Sequence, residues 1–298
     1  MNALPVRTRI APTPSGFLHL GNLFSFVLTW LIAKSKQGIV ILRIDDLDAV
    51  RAKKEYVEDI FKSLDFIGLQ PDVGPSGTED FFRNYSQQQR MDDYQHYLTR
   101  LKDADCLYAC QCSRRQVHQQ NERNIYGGNC RHLGLDFEQD SVAWRFKLVS
   151  DTIVSFHDNY SKTLRQIDVT QQMGDFVMRR KDKLPAYQIA SIVDDLQMGI
   201  NLVVRGEDLL SSTAAQLQVS YALKEPVFSA ISWYHHILVK NELQEKLSKS
   251  AGHSSIKWMI EHGFDKNEIL KKIGKFCGLP DKNYGSLSNL LNEYGQMI

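Results

Sequence analysis

The chain has 298 residues, 43% of them hydrophobic, with 36 basic against 35 acidic side chains and a formal charge of +1. That length is enough to bury one large core with an insertion, or two modest cores. The near-neutral charge excludes a histone-like tail or a generally basic nucleic-acid coat, so any polyanionic partner must meet a local patch.

In chain order, residues 5–12 read as a strand and "NLFSFVLTWLIAKSK" as a helix apolar on nearly every side, which implies burial inside a layered fold. Its longest apolar run, "LFSFVLTWLIA", is too short to span a bilayer and lacks the basic start of a signal peptide, so no membrane partner and a cytoplasmic location are expected. "GIVILRI" is the short aliphatic run of a parallel-sheet strand. Helical patterns follow over 50–68 and 84–104, separated by the turn-rich "QPDVGPSGTED", and Asp48 is expected to cap the first of them. This order of strand, helix, strand, helix predicts an α/β domain. The period then changes, because the cysteine region and "VAWRFKLV", "TIVSFHD" and "KTLRQIDVT" alternate like hairpin strands, as in an insertion. From "AYQIASIVDDLQ" through "INLVVRG" to "STAAQLQVSYAL" the α/β rhythm returns, and residues 251–298 read as short helices.

Three stretches carry chemistry. "RIAPTPSGFLHLGN" places Pro12, Pro14, Gly16, His19 and Gly21 between the first strand and the buried helix, where backbone N–H groups and the positive helix end suit a phosphate. In an open parallel sheet this is also the expected ligand edge. "EKLSKSAG" sets Lys246 and Lys249 three apart in a loop with serine and glycine, a composition fit to wrap a polyphosphate. Five cysteines, three of them within 110–130, fit a metal site in a reducing compartment better than a disulfide framework. Cys110, Cys112 and Cys130 offer three thiolates to one tetrahedral ion, with zinc the expected metal in a structural role. Cys106 and Cys277 read as core thiols.

The pair His-Leu-Gly-Asn after a first strand and Lys-Leu-Ser-Lys-Ser late in the chain resembles the signatures of the class I aminoacyl-tRNA synthetases. "LRIDDLD", "DFVMRR", "AYQIASIVDD" and "LVVRGEDLLSST", in this order, resemble the glutamyl branch over about residues 7–250. Within it the chain looks like the short glutamyl-Q tRNA(Asp) synthetases, since little sequence follows the lysine loop and "YGGNCR" points the same way. The resemblance implies a Rossmann-like parallel-sheet catalytic domain (1–105 and 186–250), an inserted zinc-binding α+β domain of acceptor type (106–185) and a short helical C-terminal region (251–298). It implies a ligase that uses ATP with Mg2+ to form L-glutamyl adenylate and passes the glutamate to the queuosine base of tRNA(Asp); the small tail suggests a monomer. Two alternatives stay open: a minimal glutamyl-tRNA synthetase charging tRNA(Glu), and a catalytically silent protein that binds nucleotide or RNA.

Residue by residue, the resemblance puts His19, Gly21, Asn22 and Lys249 on ATP and makes His19, Asn22, Lys246 and Lys249 the catalytic set. Asn22 stands where many relatives carry a second histidine. Glutamate would be held by Arg9, Ile10, Ala11, Pro12, Thr13, Asp45, Tyr187 and Arg205, with Arg205 distinguishing carboxylate from amide. Asp45 departs from the glutamate usual in the branch and is one methylene shorter. The fourth zinc ligand has two candidates: His132, as in zinc-bearing full-length glutamyl synthetases, and Tyr126, as in the Tyr-x-x-x-Cys pattern of the short paralogues, which is the ligand expected here. Arg114, Arg115, Arg131, Arg179, Arg180 and Lys181 are candidate phosphate contacts for the RNA.

Overall fold

The structure is a computed structural model that describes residues 5–120, 125–149, 152–239 and 255–297. Lys246 and Lys249 lie outside the described residues. The first elements are β1 (Arg7–Ile10), α1 (Leu20–Ser35), β2 (Ile39–Leu42), α2 (Lys54–Ile67), the single turn α3 (Thr78–Asp80) and α4 (Met91–Asp103). Then come β3 (Leu107–Cys110), α5 (Arg114–Gln120), β4 (Ala143–Phe146), β5 (Ile153–Asp158), β6 (Thr163–Asp168), α6 (Val169–Met173) and β7 (Val177–Arg179). The chain ends with α7 (Tyr187–Gln197), β8 (Leu202–Gly206), α8 (Leu210–Ala222), α9 (Pro226–Ser229), β9 (Ser232–His236), α10 (Ile256–Glu261), α11 (Lys266–Phe276) and α12 (Leu287–Met297).

Contacts divide the chain into two compact units. The first is built from Met1–Gln89, Leu202–Glu207 and His236–Ile298, the second from Arg90–Asn201 and Asp208–His235. The sequence places 186–250 with the first domain, whereas the contacts group most of that segment with the cysteine-bearing part.

In the first unit β1 and β2 pair in parallel, with Arg9 opposite Ile41 and Ile10 opposite Leu42. Helix α1 packs on both strands, on β8 and on α11 and α12. That double packing is why its sequence is apolar all round: Leu23, Phe24, Val27, Leu28 and Leu31 are all essentially sealed from solvent. Each such side chain contributes about 1.5–3 kcal/mol of transfer free energy.

In the second unit β3, β4 and β7 form an antiparallel sheet, with Ala109 opposite Trp144 and Trp144 opposite Arg179. β5 and β6 form an antiparallel hairpin that β9 joins in parallel at Asp158 and Trp233. Helix α4 is clamped to α7, where Asp194 is completely buried. Its carboxylate accepts from Arg90 Nε at 2.8 Å and from the Tyr94 hydroxyl at 2.7 Å.

Some boundaries differ from expectation for local reasons. Asp48 does not cap α2, which begins at Lys54 with Lys53 at the N-cap position. The Asp48 carbonyl instead accepts the N–H groups of Arg51 and Ala52 in a separate turn. The helical stretch expected over 84–104 begins regular α-helix only at Met91, after a π turn over Phe81–Tyr85 and a 3-10 turn over Gln87–Arg90. The strand expected through Thr170 ends at Asp168, whose side chain accepts the Gln171 N–H at 2.9 Å and so starts α6. Cys277 is buried as expected, but Cys106 is half-exposed.

Candidate active site and cysteine cluster

The pairing of β1 with β2 continues past both strand ends. Arg43 N–H donates to the Ile10 carbonyl at 3.0 Å and Asp45 N–H donates to the Pro12 carbonyl at 2.9 Å. Asp45 is thereby held beside the start of the "APTPSG" loop. Its carboxylate takes a two-point pair from Arg43, Nε to Oδ1 at 2.7 Å and a terminal nitrogen to Oδ2 at 3.0 Å. Arg43 escaped the sequence reading, although Arg-x-Asp in extended chain puts both side chains on one face. Of the other expected glutamate contacts, Ile10 and Pro12 are buried, Ala11 is half-buried and Thr13 is exposed. Arg9 on β1 and Arg205 near the end of β8 are each only 5% exposed, and both are engaged by neighbouring groups. β8 packs beside β1, so the two buried guanidinium groups sit on adjacent strands of one unit. Tyr187 belongs to the second unit, at the first turn of α7, and is 43% exposed.

His19 is the N-cap residue of α1. Its backbone N–H donates to Asn22 Oδ1 at 3.0 Å, and its carbonyl accepts from Asn22 N–H at 2.9 Å. Asn22 thus fixes the first turn of the helix, a structural duty beside the ATP contact that the resemblance assigns to it. Burial holds the His19 imidazole below its ordinary pKa, so the ring is neutral at pH 7. Its Nδ1 is buried without a hydrogen-bond partner. A Cβ on Gly21 would lie 3.1 Å from both Cε1 and Nδ1 of that ring, so glycine here keeps room for the imidazole.

Two further contacts tie this turn to later chain. Ser255 bridges His19 in antiparallel fashion, and Ile256 N–H donates to the Leu18 carbonyl at 2.7 Å. On the other side of residues 240–254, His236 Nε2 lies 3.0 Å from Ser25 Oγ and its ring meets Phe24 edge-on. Both flanks of the segment that holds Lys246 and Lys249 are therefore fastened to the N-terminal half of α1 or to the turn before it.

In the second unit the sulfur atoms of Cys110, Cys112 and Cys130 all lie within 4.8 Å of one another. Cys112 and Cys130 are 3.5 Å apart, and the Tyr126 hydroxyl lies 3.4 Å from Cys110 and 3.7 Å from Cys112. A tetrahedral zinc with bonds of about 2.3 Å needs ligand atoms about 3.8 Å apart, so three thiols and the phenol fit one ion. His132 is exposed and does not join the cluster. The Tyr126 oxygen accepts the Cys130 N–H at 2.8 Å. Burial, then hydrogen bonds to the thiols, push its pKa far up, so the phenol keeps its proton until a metal displaces it. Burial also pushes the Cys112 thiol up to about 11. At Cys130 burial is outweighed by hydrogen bonds, chiefly from Tyr126, which bring it down to about 7.

Around the cluster, Asp175, which the sequence does not single out, gathers several donors. It accepts from the Tyr108 hydroxyl at 2.6 Å, from Leu148 N–H at 3.0 Å and from Arg131 Nε at 3.0 Å. Arg145 donates to the Asp175 carbonyl and lies over the Tyr126 ring, 3.8 Å from its centroid. Gly174, with φ +59, lets the chain pass where any Cβ would overlap the Tyr126 carbonyl. Several expected phosphate contacts have other work: Arg131 pairs with Asp175, Arg179 covers Trp144 at 4.3 Å, Arg180 pairs with Asp182, and Lys181 donates to the Gln111 carbonyl. Arg114 and Arg115 are exposed on α5.

Residues 5–288 match the family described as tRNA synthetases class I (E and Q), catalytic domain. A "Glutamate--tRNA ligase" of Sulfurihydrogenibium sp. is 34% identical over 271 residues, covering 87% of this chain and 55% of that protein. A "Glutamyl-Q tRNA(Asp) synthetase" of Ralstonia nicotianae is 36% identical over 265 residues, covering 85% of this chain and 79% of that protein. The chain thus spans about half the length of the glutamate–tRNA ligases it matches. Among solved structures, a glutamate–tRNA synthetase of Elizabethkingia anophelis superposes with a TM-score of 0.78 at 26% identity, over 97% of this chain and 65% of that one.

Proposed function

Since the chain belongs to the class I tRNA synthetase (E and Q) catalytic-domain family, we propose that it activates L-glutamate with Mg·ATP and passes the glutamate to the queuosine base of tRNA(Asp). In the first step the glutamate carboxylate attacks the α-phosphorus of ATP, the bond to pyrophosphate breaks, and glutamyl adenylate remains. A nucleophile of the RNA base then attacks the acyl carbon and AMP leaves. The observation that carries this reading is the turn at His19. His19, with a neutral, half-buried imidazole, occupies the N-cap position at the positive end of α1, and the chain leaving the lysine segment pairs directly against it. The roles of Lys246 and Lys249 rest on the resemblance of their loop to the lysine signature of the family, since both lie outside the described residues. A neutral imidazole and a helix terminus stabilise charge that builds on the pentavalent phosphorus, and Lys246 and Lys249 neutralise the departing pyrophosphate.

Arg9 and Arg205 supply the cationic side of a site for a dicarboxylate, and Asp45, one methylene short of the usual glutamate, meets the ammonium through Arg43-fixed geometry or a bridging water. The resemblance adds Tyr187 to the proposed glutamate contacts. A zinc held by Cys110, Cys112, Tyr126 and Cys130 staples the inserted segment; it supplies structure and no reaction step. The queuosine acceptor is supported by the relative whose length this chain mostly covers. A second reading, charging the 3′ end of tRNA(Glu), is favoured by the similarly close glutamate–tRNA ligase.

The deciding experiment measures glutamate-dependent exchange of pyrophosphate into ATP, then transfer of labelled glutamate to tRNA(Asp) with and without queuosine and to tRNA(Glu). Label confined to queuosine-bearing tRNA(Asp) is the expected result. Label on tRNA(Glu) selects the second reading, and absence of exchange removes both. Lys249→Ala should lower exchange roughly a hundredfold, since one preorganised contact to the transition state is worth ~3 kcal/mol.

A further inference from the structure

Helix α2 carries a carboxylate with no place in the chemistry above. Asp59 is 4% exposed, and its Oδ2 accepts the Leu18 N–H at 2.8 Å across 41 residues of sequence. Leu18 is the residue before His19, and its carbonyl is the acceptor of Ile256 N–H. Both sides of the Leu18 residue are therefore held, one by α2 and the other by the chain that follows residues 240–254. Next to it, Lys257 lies over the Phe17 ring at 4.4 Å, and Phe17 meets Tyr56 of α2 edge-on at 5.0 Å. The charged groups acting on Asp59 are Lys257, Lys62 and Glu261. A buried carboxylate is costly unless its hydrogen bond has a use, and here the one bond fixes the peptide that leads into the imidazole.

We propose that Asp59 is a positioning residue that, through the Leu18 N–H, holds the His19 turn in register with the chain leaving the lysine segment. The proposal deepens the adenylation reading and rests on it for its kinetic consequence, though its geometry does not. The hydrogen bond is what matters, so Asp59→Asn, which keeps an acceptor oxygen, preserves the function, while Asp59→Ala loses it. A residue that merely fills the core would be rescued as well by Asp59→Leu, which has the same branching and no acceptor, whereas a hydrogen-bonding role is rescued by Asp59→Asn and not by Asp59→Leu.

The test uses the full chain and two readouts. The first is the His19 ring cross-peak in a 13C-labelled spectrum, assigned by its loss in His19→Gln. The second is glutamate-dependent pyrophosphate exchange per folded enzyme, with folding checked by a cooperative melt. Expected is a displaced His19 signal in Asp59→Ala with kcat about tenfold lower and an unchanged KM for glutamate, and wild-type behaviour on both readouts in Asp59→Asn. A His19 signal unmoved in Asp59→Ala, or moved equally by Asp59→Asn, overturns the latch. Should the wild-type chain show no exchange, the synthetase reading fails while the spectrum still decides the latch.

Discussion

At single positions the structure explains why particular side chains are tolerated, and each explanation has a measurable consequence. Gly21 sits where a Cβ would press on the His19 ring at 3.1 Å, closer than such contacts ordinarily come. Gly21→Ala should therefore leave the melting temperature within a few degrees, since α1 gains helix propensity, yet lower pyrophosphate exchange by about tenfold as the imidazole is displaced. Equal exchange in the two proteins would show that the ring has room to spare. At the cysteine cluster, the Tyr126 hydroxyl touches two thiols and His132 touches none of them. Metal analysis should thus find one zinc per chain, retained in His132→Ala and bound more weakly in Tyr126→Phe; the reverse pattern would assign the fourth ligand to the histidine. The residue types of both places were legible in the sequence because their chemistry is conspicuous: one imidazole among stiff turns, three thiols in a short span. Arg43, Asp59 and Asp175 were not, because an acid or base that serves another side chain has no spacing rule of its own. Arg43 and Asp45 come closest, two apart on extended chain.

Elements were legible where one periodicity ruled and blurred where a side chain cut it short. Helix α1 announced itself by being apolar on every face, and its packing between strands and C-terminal helices accounts for that. The hairpin β5–β6 followed from strict alternation, but its end did not, because the Asp168 side chain captures the Gln171 N–H and converts the last expected strand residues into α6. The "VDD" of α7 belongs to a stretch that resembles the glutamyl branch, and nothing in its spacing marks either acid. In the structure Asp194, the first of its two acids, is the buried centre of the α4–α7 clamp, held by Arg90 and Tyr94. Asp194→Ala leaves a guanidinium and a hydroxyl facing an empty space, which should cost about 3–5 kcal/mol of stability. Chemical denaturation of the purified variant checks this, and a loss under ~1 kcal/mol would mean that the helices are held by their apolar contacts alone.

On the scale of the molecule, two compact units are woven from five stretches of chain, an arrangement no composition shift in the sequence marks. What stitches the second unit is visible in its polar interior. Asp158 is fully buried at the point where β5 meets β9, and it accepts from His235 N–H at 3.0 Å, Tyr160 N–H at 3.2 Å and Ser161 Oγ at 2.9 Å, with Arg165 Nε at 3.3 Å. Burial alone would raise its pKa, but these donors, led by the His235 amide, together hold it below the ordinary carboxylate value. The sign of the consequence follows from proton linkage: a carboxyl with a depressed folded pKa contributes stability that is fully present above its unfolded value of about 4 and is lost as the pH falls through the folded value. Asp59 in the first unit works in the opposite sense. Its burial raises the pKa despite the Leu18 amide, so that carboxyl favours the fold most at low pH and less as the pH rises through its folded value. Melting temperature measured from pH 7 to pH 2 should therefore fall steeply below pH 4 in the native chain, and fall less steeply in Asp158→Asn, which starts lower at pH 7 because one acceptor oxygen becomes a donor facing donors. Asp59→Asn should leave the acid limb in place and lose nothing at pH 7. Parallel acid limbs for the native and Asp158→Asn proteins would mean that the β5–β9 junction is held by its backbone and apolar contacts, with the buried carboxylate contributing no pH dependence.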